Sequence, residues 1–314
     1  MIPSVLDPLS LLAIRYGSDK FGSHLYTPVY HDLFQSLRDK PLRMLEIGIG
    51  GFDLPQAGGS SLRMWADYFP HAQIVGLDIH PKTLDISRRV HTICGSQADP
   101  VILNNLTQKF GPFDIIIDDG SHRAEDAKIS LSHLYPAMAA GGIYVIEDLQ
   151  TSFAGSHDGN RRGIDSLFDA LHRLSLVMHH QEGYIPQPED AWLLPMEKIT
   201  ASITILRNLA VLRRGDNGYP TVLEMDFSRP DVGAVYRLLE EQATINPTTG
   251  NYLTRIDMNI WGKRTDLAAQ LAMQGAARFA HDIPFLTELA RLMLWAARPV
   301  EVEFLRQKII NRPH

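Results

Sequence analysis

Short apolar runs alternate with helix-length segments between residues 42 and 147, and this alternation constrains the fold more than any other feature of the chain. Such alternation is typical of a sheet whose parallel strands are connected by helices. The predicted strands of this part cover residues 42–47, 72–79, 90–94, 113–118 and 142–147.

Helices and two later strands complete the pattern. Helices are predicted at residues 60–69 and 124–138, between strands, and a further amphipathic helix at 164–178. Two β-runs at residues 202–207 and 209–213 are expected to close the sheet.

Together these elements predict a Rossmann-like α/β fold with a mostly parallel seven-stranded sheet and helices on both faces. Beyond about residue 220 the pattern becomes mainly helical, which predicts a helical C-terminal extension. Three segments are expected: a helical lead-in at 1–40, the sheet domain at 41–218 and the extension at 219–314.

The composition excludes several classes of partner. The chain has 314 residues, 45% of them hydrophobic, which is enough for one or two globular domains. A net charge of −6 without a basic block argues against binding to nucleic acid. Because the chain has neither a membrane-length apolar run nor a recognisable signal peptide, we expect no membrane association and a cytoplasmic location. The single cysteine, Cys94, is expected to be a buried, unreactive thiol.

A glycine-rich turn, Glu46–Gly51, ends the first predicted strand. Glycines such as Gly48 let the backbone approach a ligand where a Cβ would clash. A dinucleotide fingerprint would have another glycine at the position of Asp53, and an acidic side chain there would repel phosphates. The zwitterionic amino-acid end of S-adenosylmethionine tolerates such a residue, so the turn favours S-adenosylmethionine over NAD.

Two further strand ends support a nucleoside pocket. Asp78 ends the second predicted strand, where a carboxylate can accept hydrogen bonds from both ribose hydroxyls. Ser96 and Gln97 follow the third strand and offer donors and acceptors for an adenine edge. Each signal is weak alone, since Asp78 could simply cap the next helix, but their order along the chain predicts an adenosine site.

Acidic residues and a histidine follow the fourth and fifth predicted strands. The first group is Asp118–His122, which contains Asp119, and the second is Glu147–Asp148. Parallel strands end at one edge of a sheet, where open α/β folds bind ligands. Three carboxylates there would repel one another without a cation, and oxygen ligands suit Mg²⁺.

Such an ion could hold a substrate hydroxyl and lower its pKa, and His122 could then remove the proton. In the alternative interpretation, Asp118 or Asp119 caps a helix, Glu147 and Asp148 form a solvated pair, and His122 is an ordinary polar residue. Asp118 is the weakest candidate, because two consecutive aspartates do not easily point into one site.

Six segments of the chain resemble a known family. Over roughly residues 10 to 218 the chain is similar to the class I, metal-dependent sugar O-methyltransferases of macrolide tailoring. This resemblance implies transfer of a methyl group from S-adenosylmethionine, with Mg²⁺, to a hydroxyl of a sugar or other small natural product. The matching segments are residues 16–20, 24–28, 45–51, 58–65, 118–122 and 145–152.

The resemblance also implies roles for individual residues. The implied Mg²⁺ ligands are Asp119, Glu147 and Asp148, and the implied general base is His122. The residues implied to line the S-adenosylmethionine pocket are Glu46, Gly48, Asp78, Ser96 and Gln97, with Ser61, Tyr26 and Thr27 also within reach. Relative to this family we expect the chain to lack an N-terminal domain, and a homo-oligomer is compatible with the resemblance.

Selection of the acceptor, for example a sugar on a glycosylated polyketide, is expected in two segments rich in glycine, proline and polar residues. These predicted lids are residues 151–163 and 183–198, where Tyr184 and Trp192 could stack on the acceptor or serve as packing anchors. His157, His179 and His180 show no ligand spacing and are expected to be surface or packing residues.

Two other functions stay open at this point. Proteins of the cephalosporin hydroxylase type resemble this fold and have an acidic metal site, but they would consume oxygen and form no methylated product. A non-catalytic scaffold whose helical tail binds a partner protein is the third interpretation, against which the acidic residues and His122 argue.

Overall fold

The computed structural model describes residues 6–179, 191–217 and 226–310. The chain divides into two compact units, Met1–Pro220 and Thr221–His314. The first unit contains a seven-stranded sheet, and the second contains helices only among its described residues.

The sheet of the first unit is mostly parallel. Its strands are β1 Arg43–Ile47, β2 Gln73–Asp78, β3 Val90–Cys94, β4 Ile115–Asp118, β5 Ile143–Ile146, β6 Thr200–Leu206 and β7 Leu209–Arg214. They lie in the order β3-β2-β1-β4-β5-β7-β6. The first five strands are parallel, and β7 pairs antiparallel with both β5 and β6. The predicted sheet, including its two closing strands, is confirmed.

Side chains of the central strands alternate between two apolar layers. Leu45 and Ile116 lie in one hydrophobic cluster, whereas Met44 and Ile117 lie in the other. This alternation follows from the two-residue repeat of a strand. Because helices cover both faces, the strands are continuous apolar runs, as is typical of a parallel sheet.

Six helices of the first unit form these covering layers. They are α1 Pro8–Tyr16, α2 Thr27–Phe34, α3 Ser60–Tyr68, α4 Pro100–Phe110, α5 Ala124–Leu134 and α6 Leu167–Val177. Buried residues of α1, α2 and α3 belong to the cluster that contains Met44, and those of α4, α5 and α6 to the cluster that contains Leu45. The predicted placement of helices on both faces is confirmed.

Two helices are shorter than the apolar pattern predicts. Helix α5 ends at Leu134, two residues before Pro136, because a proline disfavours helical geometry in the residue before it. Helix α6 begins at Leu167, because Ser166 caps it by accepting a hydrogen bond from the backbone N–H of Asp169 at 3.3 Å.

Cys94 is exposed, so the expectation of a buried thiol is wrong. It is the last residue of β3, and β3 is an edge strand of the sheet, which leaves its end uncovered. The Sγ–H donates a weak hydrogen bond to the carbonyl oxygen of Ile79 at 3.4 Å.

The second unit is helical, as predicted for the extension. Its helices are α7 Pro230–Ile245, α8 Thr249–Trp261, α9 Thr265–Arg278, α10 Ile283–Trp295 and α11 Pro299–Ile310. Helices α8 to α11 share a separate hydrophobic core that includes Ile256, Leu286 and Leu289. Across the described parts of both units, no helix combines the length and the apolar character that crossing a membrane requires.

Candidate active site

A cavity of about 630 Å³ lies at the carboxyl ends of β1, β2, β3 and β4. The residues that follow each of these strands line it. The strand order changes direction between β1 and β4, and open α/β sheets bind their ligands at such a switch point. The cavity therefore lies where the sequence predicts a ligand.

Gly48, which follows β1, approaches the backbone after β4. Its φ is +79°, and a Cβ at this position would lie 2.1 Å from the carbonyl oxygen of Asp119. Such a contact is impossible for a side chain, so only glycine fits here. The glycine is thus required to bring Asp119 next to the first turn, in addition to lining the cavity.

Asp78 is fixed between two turns at the cavity. Its Oδ2 accepts a hydrogen bond from the backbone N–H of Ile49 at 3.2 Å, and its Oδ1 accepts one from the N–H of His80 at 2.9 Å. A carboxylate can accept about four hydrogen bonds, so both oxygens keep capacity for a ligand hydroxyl. Asp78 therefore fits the predicted ribose-binding role.

Ser96 and Gln97 line the cavity after β3, but Gln97 has a second role. Its Nε2 donates to Oδ1 of Asp118 at 3.0 Å, and its Oε1 accepts from the backbone N–H of Ser121 at 2.7 Å. The amide of Gln97 is therefore used within the protein, where it holds the loop after β4.

Asp118 points into the protein interior. Besides Gln97, Ser130 donates to its Oδ2 at 2.6 Å and Tyr144 donates to the same oxygen at 2.8 Å. Burial raises the pKa of this carboxyl group, and the three donated hydrogen bonds oppose that shift. Asp118 is therefore a structural residue, which agrees with its being the weakest candidate for the site in the sequence analysis.

The other predicted cofactor residues occupy different places. Ser61 lines the cavity and donates to Oε2 of Glu46 at 2.8 Å. Glu46 itself is fully buried and is not among the residues that line the cavity. Thr27 is buried against Ser10, with 2.8 Å between the two hydroxyl oxygens, and Tyr26 donates to Asp148. The structure therefore brings Gly48, Ser61, Asp78, Ser96 and Gln97 to the cavity, but not Glu46, Tyr26 and Thr27.

Asp119, His122 and Asp148 form a compact cluster at the same cavity. Each offers a potential ligand atom, and these atoms lie within 4.8 Å of one another. His122 Nε2 is 3.9 Å from Oδ1 of Asp119 and 3.6 Å from Oδ2 of Asp148. The left-handed backbone of His122, with φ +56°, occurs in the loop that bends back toward these carboxylates. Two oxygens and one imidazole nitrogen suit a divalent cation.

Glu147 is next to Asp148 in the sequence, and its carboxylate is hydrogen-bonded to two buried side chains. Its Oε1 accepts hydrogen bonds from Lys20 Nζ at 2.7 Å and from Tyr30 OH at 2.6 Å. Burial raises the pKa of Glu147 to about 8, and the charge of Lys20 opposes the shift. The structure thus pairs Glu147, a predicted metal ligand, with the buried cation of Lys20.

Sequence reasoning gave no individual role to Lys20, which the structure places beside the cluster. It is 1% exposed, and its ammonium group lies 2.7 Å from Oδ2 of Asp119 and 3.3 Å from Oε1 of Glu46, in addition to Glu147. Burial alone would lower the pKa of Lys20, but the three carboxylates raise it well above its usual value. The only sequence signal is its place in the Tyr16–Lys20 segment, because nothing local indicates that this lysine is buried.

The first predicted lid packs against the loop that carries His122. It contains short 3₁₀ segments at Leu149–Phe153 and Gly155–His157. Thr151 Oγ1 donates to the carbonyl oxygen of His122 at 3.3 Å. The ring of His157, which was expected to be a surface or packing residue, lies 6.3 Å from that of His122. This segment therefore borders the cluster.

The second predicted lid lies partly outside the described residues. Tyr184 and His180 are in the part that is not described. Trp192 is partly buried and packs against the hydrophobic cluster that contains Leu45, so it is a packing anchor.

The sequence matches no family model. It is 41% identical over 216 residues to 8-demethyl-8-alpha-L-rhamnosyl tetracenomycin-C 2'-O-methyltransferase of Streptomyces olivaceus, a match that covers 67% of this chain and 56% of the relative. It is 39% identical over 229 residues to mycinamicin VI 2''-O-methyltransferase of Micromonospora griseorubida, covering 70% of this chain and 56% of the relative. The chain therefore spans a little over half the length of these relatives.

Solved structures show the same similarity. The methyltransferase MycE from the mycinamycin biosynthetic pathway, in complex with Mg and SAH, superimposes with a TM-score of 0.64 at 36% identity, covering 70% of this chain and 56% of that one. A second structure of MycE also contains mycinamycin VI and gives a TM-score of 0.61. Over about 70% of its length, this chain is therefore a relative of the sugar O-methyltransferases of antibiotic biosynthesis and has their class I methyltransferase fold.

Proposed function

We propose that this chain is an S-adenosylmethionine-dependent O-methyltransferase that methylates a hydroxyl of a sugar or another small natural product. The observation that carries the proposal is a single cavity lined both by Asp78 and by the cluster of Asp119, His122 and Asp148. One cavity can therefore hold a nucleoside cofactor beside an activated hydroxyl group.

The residues at the Asp78 end fit S-adenosylmethionine. A volume of about 630 Å³ lies within the roughly 300–1,000 Å³ of small-molecule sites. Asp78 would accept hydrogen bonds from the ribose hydroxyls, and Gly48 and Ser61 line the same cavity. Bound S-adenosylmethionine would supply the methyl group, whose bond to sulfur breaks as its bond to the acceptor oxygen forms.

The residues at the other end fit Mg²⁺. Asp119 and Asp148 contribute carboxylate oxygens to the cluster, and Glu147 adjoins them. Hard cations prefer such oxygens over an imidazole nitrogen, so the carboxylates of Asp119, Glu147 and Asp148 would hold the ion. Bound Mg²⁺ would orient the acceptor hydroxyl and lower its pKa.

His122 is the proposed general base. Its Nε2 would take the proton of the acceptor hydroxyl, a role worth roughly 10²–10⁴-fold in rate. The carboxylates at 3.6 and 3.9 Å from Nε2 would stabilise the imidazolium that forms. His122 therefore serves better as a base beside the metal than as one of its ligands.

The acceptor is proposed to be a sugar hydroxyl on a glycosylated natural product. The substrates named for the relatives support this proposal. One relative is named for a rhamnosyl tetracenomycin, and MycE is crystallised with mycinamycin VI. The proposed location is the cytoplasm. A homo-oligomer is part of the same proposal, and light scattering of the purified chain measures it.

The first experiment is a calorimetric titration of S-adenosylmethionine, with and without Mg²⁺, into the wild type and Asp78→Ala. Asp39→Ala, at an exposed position in a turn, is the matched control. We expect binding that is lost or at least about tenfold weaker in Asp78→Ala and unchanged in the control. A folded wild type that gives no heat would refute the proposal.

The second experiment is a methyl-transfer assay on glycosylated acceptors with Asp119→Ala and His122→Ala. Both variants should lose turnover by about 10² or more while remaining folded. Full turnover in both would contradict the assigned roles. Oxygen consumption without a methylated product would instead favour the hydroxylase alternative.

A further inference from the structure

Three side chains of the N-terminal segment 20–30 contact the carboxylates of the proposed metal site. Lys20 donates to Oδ2 of Asp119 and to Oε1 of Glu147, each at 2.7 Å. Tyr30 donates to the same Oε1 at 2.6 Å. Tyr26 donates to Oδ1 of Asp148 at 2.7 Å, and Gln150 Nε2 donates to the same oxygen at 3.2 Å. Each carboxylate is therefore held through one particular oxygen.

The other oxygen of each carboxylate is not held by the segment 20–30. Within the described parts of the chain, no hydrogen bond reaches Oδ1 of Asp119, Oε2 of Glu147 or Oδ2 of Asp148. The free oxygens of Asp119 and Asp148 are the two that lie nearest to His122 Nε2, at 3.9 and 3.6 Å. The held oxygens thus face the segment 20–30, and these two free oxygens face the cavity cluster.

We propose that Lys20, Tyr26 and Tyr30 are positioning residues that limit the three carboxylates to one metal-binding oxygen each. This inference rests on the proposed metal site. A carboxylate that donates both oxygens occupies two coordination positions, whereas one with an oxygen already hydrogen-bonded occupies a single position. Three single-oxygen ligands leave about three positions of an octahedral ion for the acceptor oxygen and water.

The restriction has a consequence for the choice of metal. Mg²⁺ requires near-octahedral geometry and keeps several waters, whereas Ca²⁺ takes six to eight oxygens and often uses both oxygens of a carboxylate. Holding one oxygen of each carboxylate therefore disfavours Ca²⁺ more than Mg²⁺. The segment 20–30 is thus a determinant of metal selectivity, although none of its three side chains contacts the ion in this arrangement.

The test uses the metal ions alone as probes. Mg²⁺, Mn²⁺ and Ca²⁺ are titrated calorimetrically into the full chain and into Tyr26→Phe and Tyr30→Phe, which remove one hydroxyl each and keep the ring. Tyr16→Phe is the matched control, because its hydroxyl donates to Asp67 at 2.5 Å, away from the cluster. Thermal unfolding of each variant shows that it remains folded.

We expect Tyr26→Phe and Tyr30→Phe to lower the ratio of Mg²⁺ to Ca²⁺ affinity by about 3–10-fold, the size of the net contribution of one hydrogen bond, and Tyr16→Phe to leave it unchanged. A ratio within about twofold of wild type in both variants would overturn the inference while leaving the proposed function intact. Failure of the wild type to bind any of the three ions would overturn both the inference and the metal part of the proposed function.

Discussion

Gln97 Oε1 accepts a hydrogen bond of 2.7 Å from the backbone N–H of Ser121, so the residue after β3 holds the loop that carries His122. A Cβ on Gly120 would lie 1.9 Å from the same oxygen, which shows how closely the loop and the amide are packed. The position of the proposed base therefore depends on a side chain from the turn after a different strand, β3.

Gln97→Ala should lower turnover by about 10–100-fold, because a small misplacement of a catalytic group has effects of this size. We expect a much smaller change in S-adenosylmethionine affinity, since the amide of Gln97 is already used by Asp118 and Ser121. Steady-state kinetics and calorimetry measure the two effects. Gln108→Ala, at an exposed position of α4, is the control. Unchanged turnover in Gln97→Ala would show that the loop with His122 keeps its position without the Gln97 amide.

Gly48→Ala should destabilise the protein severely or prevent folding. The added Cβ would meet the Asp119 carbonyl oxygen at 2.1 Å, and a left-handed non-glycine residue adds strain of about 1–3 kcal/mol. Gly155→Ala is the control, because its Cβ would have no atom within 4 Å. Thermal unfolding of both variants measures the difference, and a melting temperature of Gly48→Ala close to wild type would refute this close approach.

Lys20→Met should destabilise the protein by about 3–5 kcal/mol, since it leaves buried carboxylates without their cation. Adding Glu147→Gln removes one of those charges, so the double variant should be more stable than the sum of the two single changes predicts. Denaturant unfolding of the wild type, both single variants and the double variant gives this coupling. Simple additivity would mean that Lys20 and Glu147 do not interact energetically.

Removal of divalent metal with a chelator should abolish methyl transfer but preserve most of the affinity for S-adenosylmethionine. The reason is that Asp78, the proposed ribose-binding residue, lines the cavity but is not one of the residues of the metal cluster. Turnover assays and calorimetry before and after chelation, with Mg²⁺ added back as the control, test this expectation. Full turnover of the metal-free protein would remove Mg²⁺ from the proposed reaction.

Leu289→Ala in the helical unit should cost about 2–5 kcal/mol of stability. Leu289 is fully buried in the core of α8 to α11, whereas Leu294, on the same helix, is 68% exposed. Leu294→Ala is therefore the control and should change stability by less than about 0.5 kcal/mol. Denaturant unfolding followed by circular dichroism compares them, and equal losses would contradict this core.

The strands and the site residues at their ends were predictable from the sequence because both depend on the local pattern of apolar residues. Buried parallel strands are apolar runs, and the ends of those runs place Asp78, Asp119 and Asp148 at one edge of the sheet. That reasoning needs no knowledge of contacts between distant residues. It therefore succeeded for β1 to β7 and for the cavity.

Contacts between distant residues were not predictable in the same way. Lys20 lies far from Glu147 in the sequence, and no periodicity indicates that the two are paired. The exposure of Cys94 depends on β3 being an edge strand, which the order of strands along the chain does not reveal. The use of the Gln97 amide by Ser121 likewise appears only when the turns after β3 and β4 meet.

Lys20 is separated by 99 residues from Asp119 and by 127 from Glu147. During synthesis at about 5–20 residues per second, Glu147 leaves the ribosome roughly 6–25 seconds after Lys20. Asp119 follows Lys20 by roughly 5–20 seconds at the same rate, so until then the lysine has neither of these two partners. The proposed metal site therefore cannot be completed by local folding of the strands that carry its ligands. Its assembly requires the segment with Lys20, which is synthesised early, to pack against segments that are synthesised much later.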